Sequence, residues 1–216
     1  MDRGILGGTF NPVHVGHLRI AEEVSRRCGI PEILFVPARE PWMKSAEELA
    51  PAEDRWEMVR LATEEARFGI PSRVDLDRPG PSFAIDTIRT LLASQASPAS
   101  YHFIIGIDAL LHLAHWKEPQ ALIGLCQIIV VSRPNYDINE ASMVEDKVPG
   151  LLKKTRFIDG INIDVSSSGI RQLIKEGRTV DGLVPDAVAS YIARNSLYGL
   201  SENGSGARGG AVSNDY

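Results

Sequence analysis

A chain of 216 residues, 44% hydrophobic and 24% charged, has the composition of a soluble globular protein long enough for one well-buried core. Its formal net charge of −5 gives no electrostatic case for nucleic-acid binding, and any polyphosphate would have to be attracted locally, against the overall field. No apolar run approaches the roughly 20 residues that span a bilayer, so no membrane partner is expected.

The first residues run straight into an apolar strand, Gly4-Ile5-Leu6, which leaves no room for a signal peptide and predicts a cytoplasmic protein. Next comes Gly7-Gly8-Thr9-Phe10-Asn11-Pro12-Val13-His14-Val15-Gly16-His17, and then a helical pattern from Leu18 to Val24. Strand, glycine turn and helix start in that order suit an anion, because glycines admit a phosphate and helix starts offer unpaired N–H groups. One histidine near a helix start is usually a cap or a surface residue. Two of them flanking Gly16 aim imidazole donors at the same place.

Residues 32–37 read as a second strand and 51–67 as a helix. Residues 73–76 read as a short strand, and Ser82 as the N-cap of a helix through Ile85, Ile88, Leu91 and Leu92. The clearest buried strands are 101–106 and 127–131; weaker ones follow at 155–158 and 162–165. Helices are expected at 168–176 and 185–194. Beyond Tyr198 the composition turns to Gly, Ser, Asn and Ala, so 199–216 read as a disordered tail. The alternation predicts an α/β, Rossmann-like open parallel sheet with helices on both faces, as a single domain over 1–198. Cys28 and Cys126, without a Cys-x-x-Cys pair, read as buried reduced thiols.

In such sheets ligands sit beyond the carboxyl ends of the strands, which selects the polar residues worth following. Val165-Ser166-Ser167-Ser168-Gly169-Ile170-Arg171 places hydroxyls at a helix start and an arginine one turn later, a second anion cradle; alone it would read as an ordinary cap beside a surface arginine. After the fourth strand, Asp108 in Gly106-Ile107-Asp108 either accepts from ribose hydroxyls or caps the next helix. His112 and His115 lack further metal ligands nearby and fit a solvated helix face.

The Gly7–His17 stretch differs from the phosphate loop ending in Gly-Lys-Ser/Thr and from the Gly-x-Gly-x-x-Gly fingerprint. It resembles the Gly-x-Phe-x-Pro-x-His-x-Gly-His signature of the nucleotidyltransferase superfamily, and the Ser166–Arg171 stretch resembles that superfamily's Ile-Ser-Ser-Thr-x-Ile-Arg. Gly106-x-Asp108, Trp116 eight residues on, Val131-Ser132-Arg133-Pro134 and Ser82-Phe83-Ala84-Ile85-Asp86-Thr87 narrow the resemblance to bacterial nicotinate-nucleotide adenylyltransferases, over residues 5 to about 192. That resemblance implies transfer of AMP from ATP to nicotinate mononucleotide. It implies ATP contacts at Gly8, Thr9, Phe10, His14, His17, Gly106 and Asp108, with Ser167, Ser168 and Arg171 on the triphosphate. His17, His14, Lys44 and Arg171 would be catalytic. Thr87, Trp116 and Lys117 would receive the nicotinate ring and carboxylate, and Arg133 the mononucleotide phosphate. Magnesium would travel with the ATP phosphates, with no protein metal site. Asn11 stands where the family usually has Asp. Trp42-Met43-Lys44 keeps the lysine but not the family's Pro-His.

Another member of the superfamily, acting on nicotinamide mononucleotide, phosphopantetheine or a cytidylyl acceptor, would keep both anion motifs without needing Trp116. A synthetase would need a Lys-Met-Ser-Lys-Ser loop and a tRNA-binding domain, which are absent from the sequence. A non-catalytic nucleotide sensor is opposed by the intact His14, His17, Lys44 and Arg171. The residues leave oligomeric state open.

Overall fold

The inner strands carry apolar side chains on both faces, so each must be covered twice. Ile5, Leu34, Val36, Phe103, Ile105, Ile128 and Val130 enter one core, and Leu6, Ile33, Phe35, Ile104, Ile129 and Val131 enter the other. Neighbouring residues of a strand point to opposite faces, and every one of these side chains is buried.

The structure is a computed structural model that describes residues 2–41, 49–94, 100–132, 139–161 and 163–199. In chain order it contains β1 (Asp2–Gly8), α1 (Val15–Cys28), β2 (Glu32–Pro37), α2 (Ala52–Thr63), β3 (Gly69–Pro71), α3 (Ala84–Ser94) and β4 (Ser100–Gly106). There follow α4 (Ile107–Leu111), α5 (Pro119–Leu125), β5 (Gln127–Val131), α6 (Asn139–Glu145), β6 (Thr155–Ile158), α7 (Ser167–Lys175) and α8 (Asp186–Arg194). All pairings are parallel, in the order β3-β2-β1-β4-β5-β6. Helices α1, α2, α7 and α8 contribute to one core, and α3, α4, α5 and α6 to the other. This is the expected open sheet. Its order reverses between β1 and β4, which opens a crevice at their carboxyl ends.

Two expected strands are not strands. Residues 74–76 form a turn, and the third strand lies earlier at Gly69–Pro71, pairing with Ile33, Leu34 and Phe35 of β2. Asp75 is buried in that turn against Thr87, a side-chain bond the local pattern could not reveal. Residues 163–165 have no ladder partner: the segment crosses toward α1, where Ile163 packs on Gly16, and delivers Ser167 to the β1–α1 turn. Asn162 lies outside the described residues.

Helix α2 stops at Thr63, whose hydroxyl turns back onto the carbonyls of Val59 and Arg60. Ser82 does not cap α3; its Oγ accepts from the Arg39 N–H and ties that loop to the end of β2. Cys126 is buried and Cys28 half-buried, both free. Among the described residues no helix is long and apolar enough to cross a membrane. The expectation of a disordered tail falls on residues of which 200–216 lie outside the described ones.

Candidate active site

The β1–α1 turn is held from outside through its carbonyls. Arg55 Nη1 donates to Thr9 O at 3.0 Å, Arg171 Nη1 to Asn11 O at 3.0 Å, and Ser167 Oγ to Pro12 O at 2.9 Å. In a trans peptide the next N–H points away from the carbonyl. Anchoring Thr9 O therefore turns the Phe10 N–H the opposite way. Phe10 itself takes a left-handed φ of 47° and is buried. An L-residue remains there only where its surroundings impose it, and here its ring is wedged edge-on against His17 at 5.0 Å and tilted against Phe35 at 5.9 Å.

His14 is the N-cap of α1, and its ring stacks on that of His17 with centroids 3.7 Å apart. The His14 main-chain N–H donates to His17 Nδ1 at 3.2 Å. A ring nitrogen that accepts carries no proton, so neutral His17 has its hydrogen on Nε2 and offers it as a donor. Burial keeps His14 neutral and pulls its pKa down to about 4. Gly16 is required by this stack: a Cβ there would meet Ile163 Cγ2 at 2.5 Å and the His14 ring at 3.0 Å. Gly16→Ala should therefore destabilise the fold by about 1–3 kcal/mol, the usual cost of overpacking. A melting temperature equal to wild type would mean that the stack yields freely.

The His14 shift also sets a pH dependence. Between pH 6.5 and about 4 the unfolded chain takes up a proton that folded His14 refuses. Its contribution is complete above 6.5 and is lost as the pH falls through that window, by up to about 3 kcal/mol. Urea midpoints at pH 4.5 and 7 should draw closer together in His14→Asn than in wild type. An identical pH dependence would exclude His14 as the source.

A cavity of about 380 Å³ unites this turn with a second group of residues. Gly7, Gly8, Thr9 and His17 line it from the turn, and Gly106 from the end of β4. Asp75, Phe83, Ala84, Thr87, Trp116 and Lys117 line it as well. Trp116 stands edge-on to Phe103 at 6.2 Å, and its Nε1 is buried without a partner among the described residues. Lys117 Nζ lies 2.8 Å from Asp86 Oδ2 and over the Phe83 ring. Thr87 is turned inward: its hydroxyl donates to Asp75 Oδ1 at 2.7 Å and to Phe83 O, and its N–H also reaches Phe83 O.

The second cradle meets the first through the chain rather than through this cavity. Ser166 caps α7 by accepting from the Gly169 N–H, Ser168 Oγ lies 3.2 Å from Ser166 Oγ, and Ser167 and Arg171 engage the turn's carbonyls. Asp108 is exposed in the first turn of α4 and does not line the cavity. Lys44 and Arg133, with Trp42 and Met43, lie outside the described residues.

Sequence reasoning missed three participants. Arg55 is fully buried and uncompensated by any carboxylate among the described residues; beyond Thr9 it donates to Ala50 O, Ala38 O and Arg39 O, and burial lowers its pKa. It opens the buried stripe of α2, with Met58, Val59 and Ala62 at spacings of three, four and seven, and that spacing was a usable signal. Asp75 bonds Thr87 and pairs with Arg78 at 3.2 Å, although the Arg78 Nη groups are not aligned for a hydrogen bond. Burial raises the Asp75 pKa against these partners. Tyr198, at the far end of the chain, reaches Asn11.

Residues 5–173 match the cytidylyltransferase-like family, which sets the class as a nucleotidyltransferase. A Dehalococcoides mccartyi protein named "Probable nicotinate-nucleotide adenylyltransferase" is 38% identical over 195 residues, 90% of this chain and 96% of its own. A Roseiflexus protein of the same name is 40% identical over the same shares. Plasmodium falciparum nicotinic acid mononucleotide adenylyltransferase complexed with NaAD has the same fold, with a TM-score of 0.72 at 20% identity over 91% of this chain and 97% of that one. Within its class, the chain belongs to the nicotinate-nucleotide adenylyltransferase family.

Proposed function

We propose that the protein transfers AMP from ATP to nicotinate mononucleotide, giving deamido-NAD and pyrophosphate. The observation that carries this reading is a cavity, among the described residues, that brings the His17 turn together with Trp116 and the start of α3. A phosphate oxygen of the mononucleotide attacks the α-phosphorus of ATP, and the bond to the bridging oxygen of pyrophosphate breaks. That nucleophile is already an anion, so no general base is required. The chain's task is to position the two phosphates and stabilise charge that develops between them.

In this reading His17 donates from Nε2 to the α-phosphate, while Gly8, Thr9 and Phe10 present the turn and neutral His14 holds the His17 ring. Lys44 and Arg171 neutralise the departing pyrophosphate, with Ser167 and Ser168 beside them. Gly106 and Asp108 lie toward the ribose, Trp116 stacks on the pyridine ring, Thr87 and Lys117 border it, and Arg133 takes the mononucleotide phosphate. ATP enters as its magnesium complex. Among the described residues no cluster of three acidic, histidine or cysteine side chains could hold an ion by itself, and Asp75 is committed to Thr87 and Arg78. The reading takes residues 1–198 as the catalytic unit and puts it in the cytoplasm.

Pyrophosphate release from ATP, measured in parallel with nicotinate mononucleotide, nicotinamide mononucleotide and phosphopantetheine, tests the proposal. Release should be fastest with the first. Fastest release with phosphopantetheine would reassign the substrate, and none with any acceptor would favour a nucleotide sensor.

A further inference from the structure

After α8 the chain takes two left-handed residues that are not glycine, Ser196 with φ 51° and Tyr198 with φ 64°. Strain of this kind persists only where surrounding contacts enforce it. Here the Leu197 N–H folds back onto Ile192 O, and the half-buried Tyr198 ring turns in beneath the β1–α1 turn. Its hydroxyl donates to Asn11 Oδ1 at 2.9 Å. The same oxygen accepts from the Ala50 N–H at 3.0 Å. An N–H can only donate, so this atom is the amide oxygen, and the tyrosine must be a donor too.

Asn11 is thereby a junction. Its side chain joins the C-terminal segment to the start of α2, and its own carbonyl accepts from Arg171. Two residues before it, Thr9 O accepts from Arg55. The Tyr198 hydroxyl lies in the field of both guanidinium groups, and burial raises its pKa well above the usual phenol value, so it remains a donor.

We propose that Tyr198 is a positioning residue for the nucleotide: through Asn11 it sets the turn that presents Thr9, Phe10 and Arg171 to the phosphates. The proposal rests on the adenylyl-transfer reading only for which reaction the turn serves. It separates residue 198 from the stretch beyond it, since a chain ending at Gly199 still carries the Tyr198 hydroxyl.

The test is Tyr198→Phe in the full chain, which keeps the ring and removes one hydrogen bond. A neutral hydrogen bond of ordinary strength corresponds to about a three- to tenfold effect. We expect kcat/KM for ATP and calorimetric ATP affinity to fall by that factor, with KM for nicotinate mononucleotide and the melting temperature nearly unchanged. Because the effect runs through Asn11, Tyr198→Phe should add little in an Asn11→Ala background. A chain ending at Gly199 should behave as wild type. Unchanged ATP binding, or a loss that simply adds to that of Asn11→Ala, overturns the proposal; so does an equal rise in KM for both substrates, the sign of general loosening. Calorimetry needs no turnover. If the wild-type chain released no pyrophosphate, the reaction assigned above would fail, and the ATP affinities would still decide the role of Tyr198.

Discussion

Replacing His17 with alanine should lower kcat by about a hundredfold or more while ATP binding changes little, because a donor aimed at charge developing in the transition state typically contributes that much. The structure gives this donor little freedom. Its Nδ1 is fixed by the His14 N–H, one face of its ring lies on His14 at 3.7 Å, and the Phe10 ring meets it edge-on. The remaining nitrogen carries the proton and requires no reorganisation when charge appears at the α-phosphorus. Single-turnover rates together with ATP titrations of His17→Ala read the two quantities separately. Turnover within a few-fold of wild type would remove His17 from the reacting centre, and an equal loss in ATP affinity would make it a ground-state ligand.

A comparably large effect is expected in the choice of acceptor, with kcat/KM favouring nicotinate over nicotinamide mononucleotide by about a hundredfold. The two rings differ by a carboxylate against a neutral amide, so the difference must arise from the donors around that group. Thr87 has its main-chain N–H and its hydroxyl engaged with Phe83 O and Asp75, and the main-chain N–H of Trp116 is bonded to Leu113 O. Ala84 opens α3, where the first N–H groups have no acceptor within the helix, and Lys117 follows Trp116; both residues line the cavity. Two N–H donors suit both oxygens of a carboxylate. The amide would set its NH₂ against one of them, and a buried donor without a partner costs about 1–3 kcal/mol. Steady-state comparison of the two acceptors checks this. Equal kcat/KM values would withdraw the nicotinate assignment and leave adenylyl transfer standing. Trp116→Ala should weaken both acceptors alike, since stacking does not distinguish them.

Much of this was legible in the sequence because it rests on local chemistry. Buried parallel strands such as 32–37 and 127–131 are continuous apolar runs. The glycine turn before His14 and His17, and the serines before Arg171, are contiguous motifs whose spacing carries their geometry. What remained hidden depends on partners far apart in the chain. Asp75 looks like a strand residue until Thr87 of α3 comes to bond it, and Ser82 looks like a helix cap until the Arg39 N–H takes its oxygen. Arg55 falls on the apolar stripe of α2 by spacing, but the sequence shows no partner for a charge there. Only the folded chain brings together the four main-chain carbonyls, from three separate segments, that make its burial tolerable. The junction at Asn11 is the extreme case, since Tyr198 stands 187 residues away and meets it only because α8 packs on the same face of the sheet as α1. Local sequence determines which backbone groups and side chains are offered at the turn. Their alignment is decided by the tertiary structure, because buried polar groups must find partners and the chain supplies them from its most distant parts.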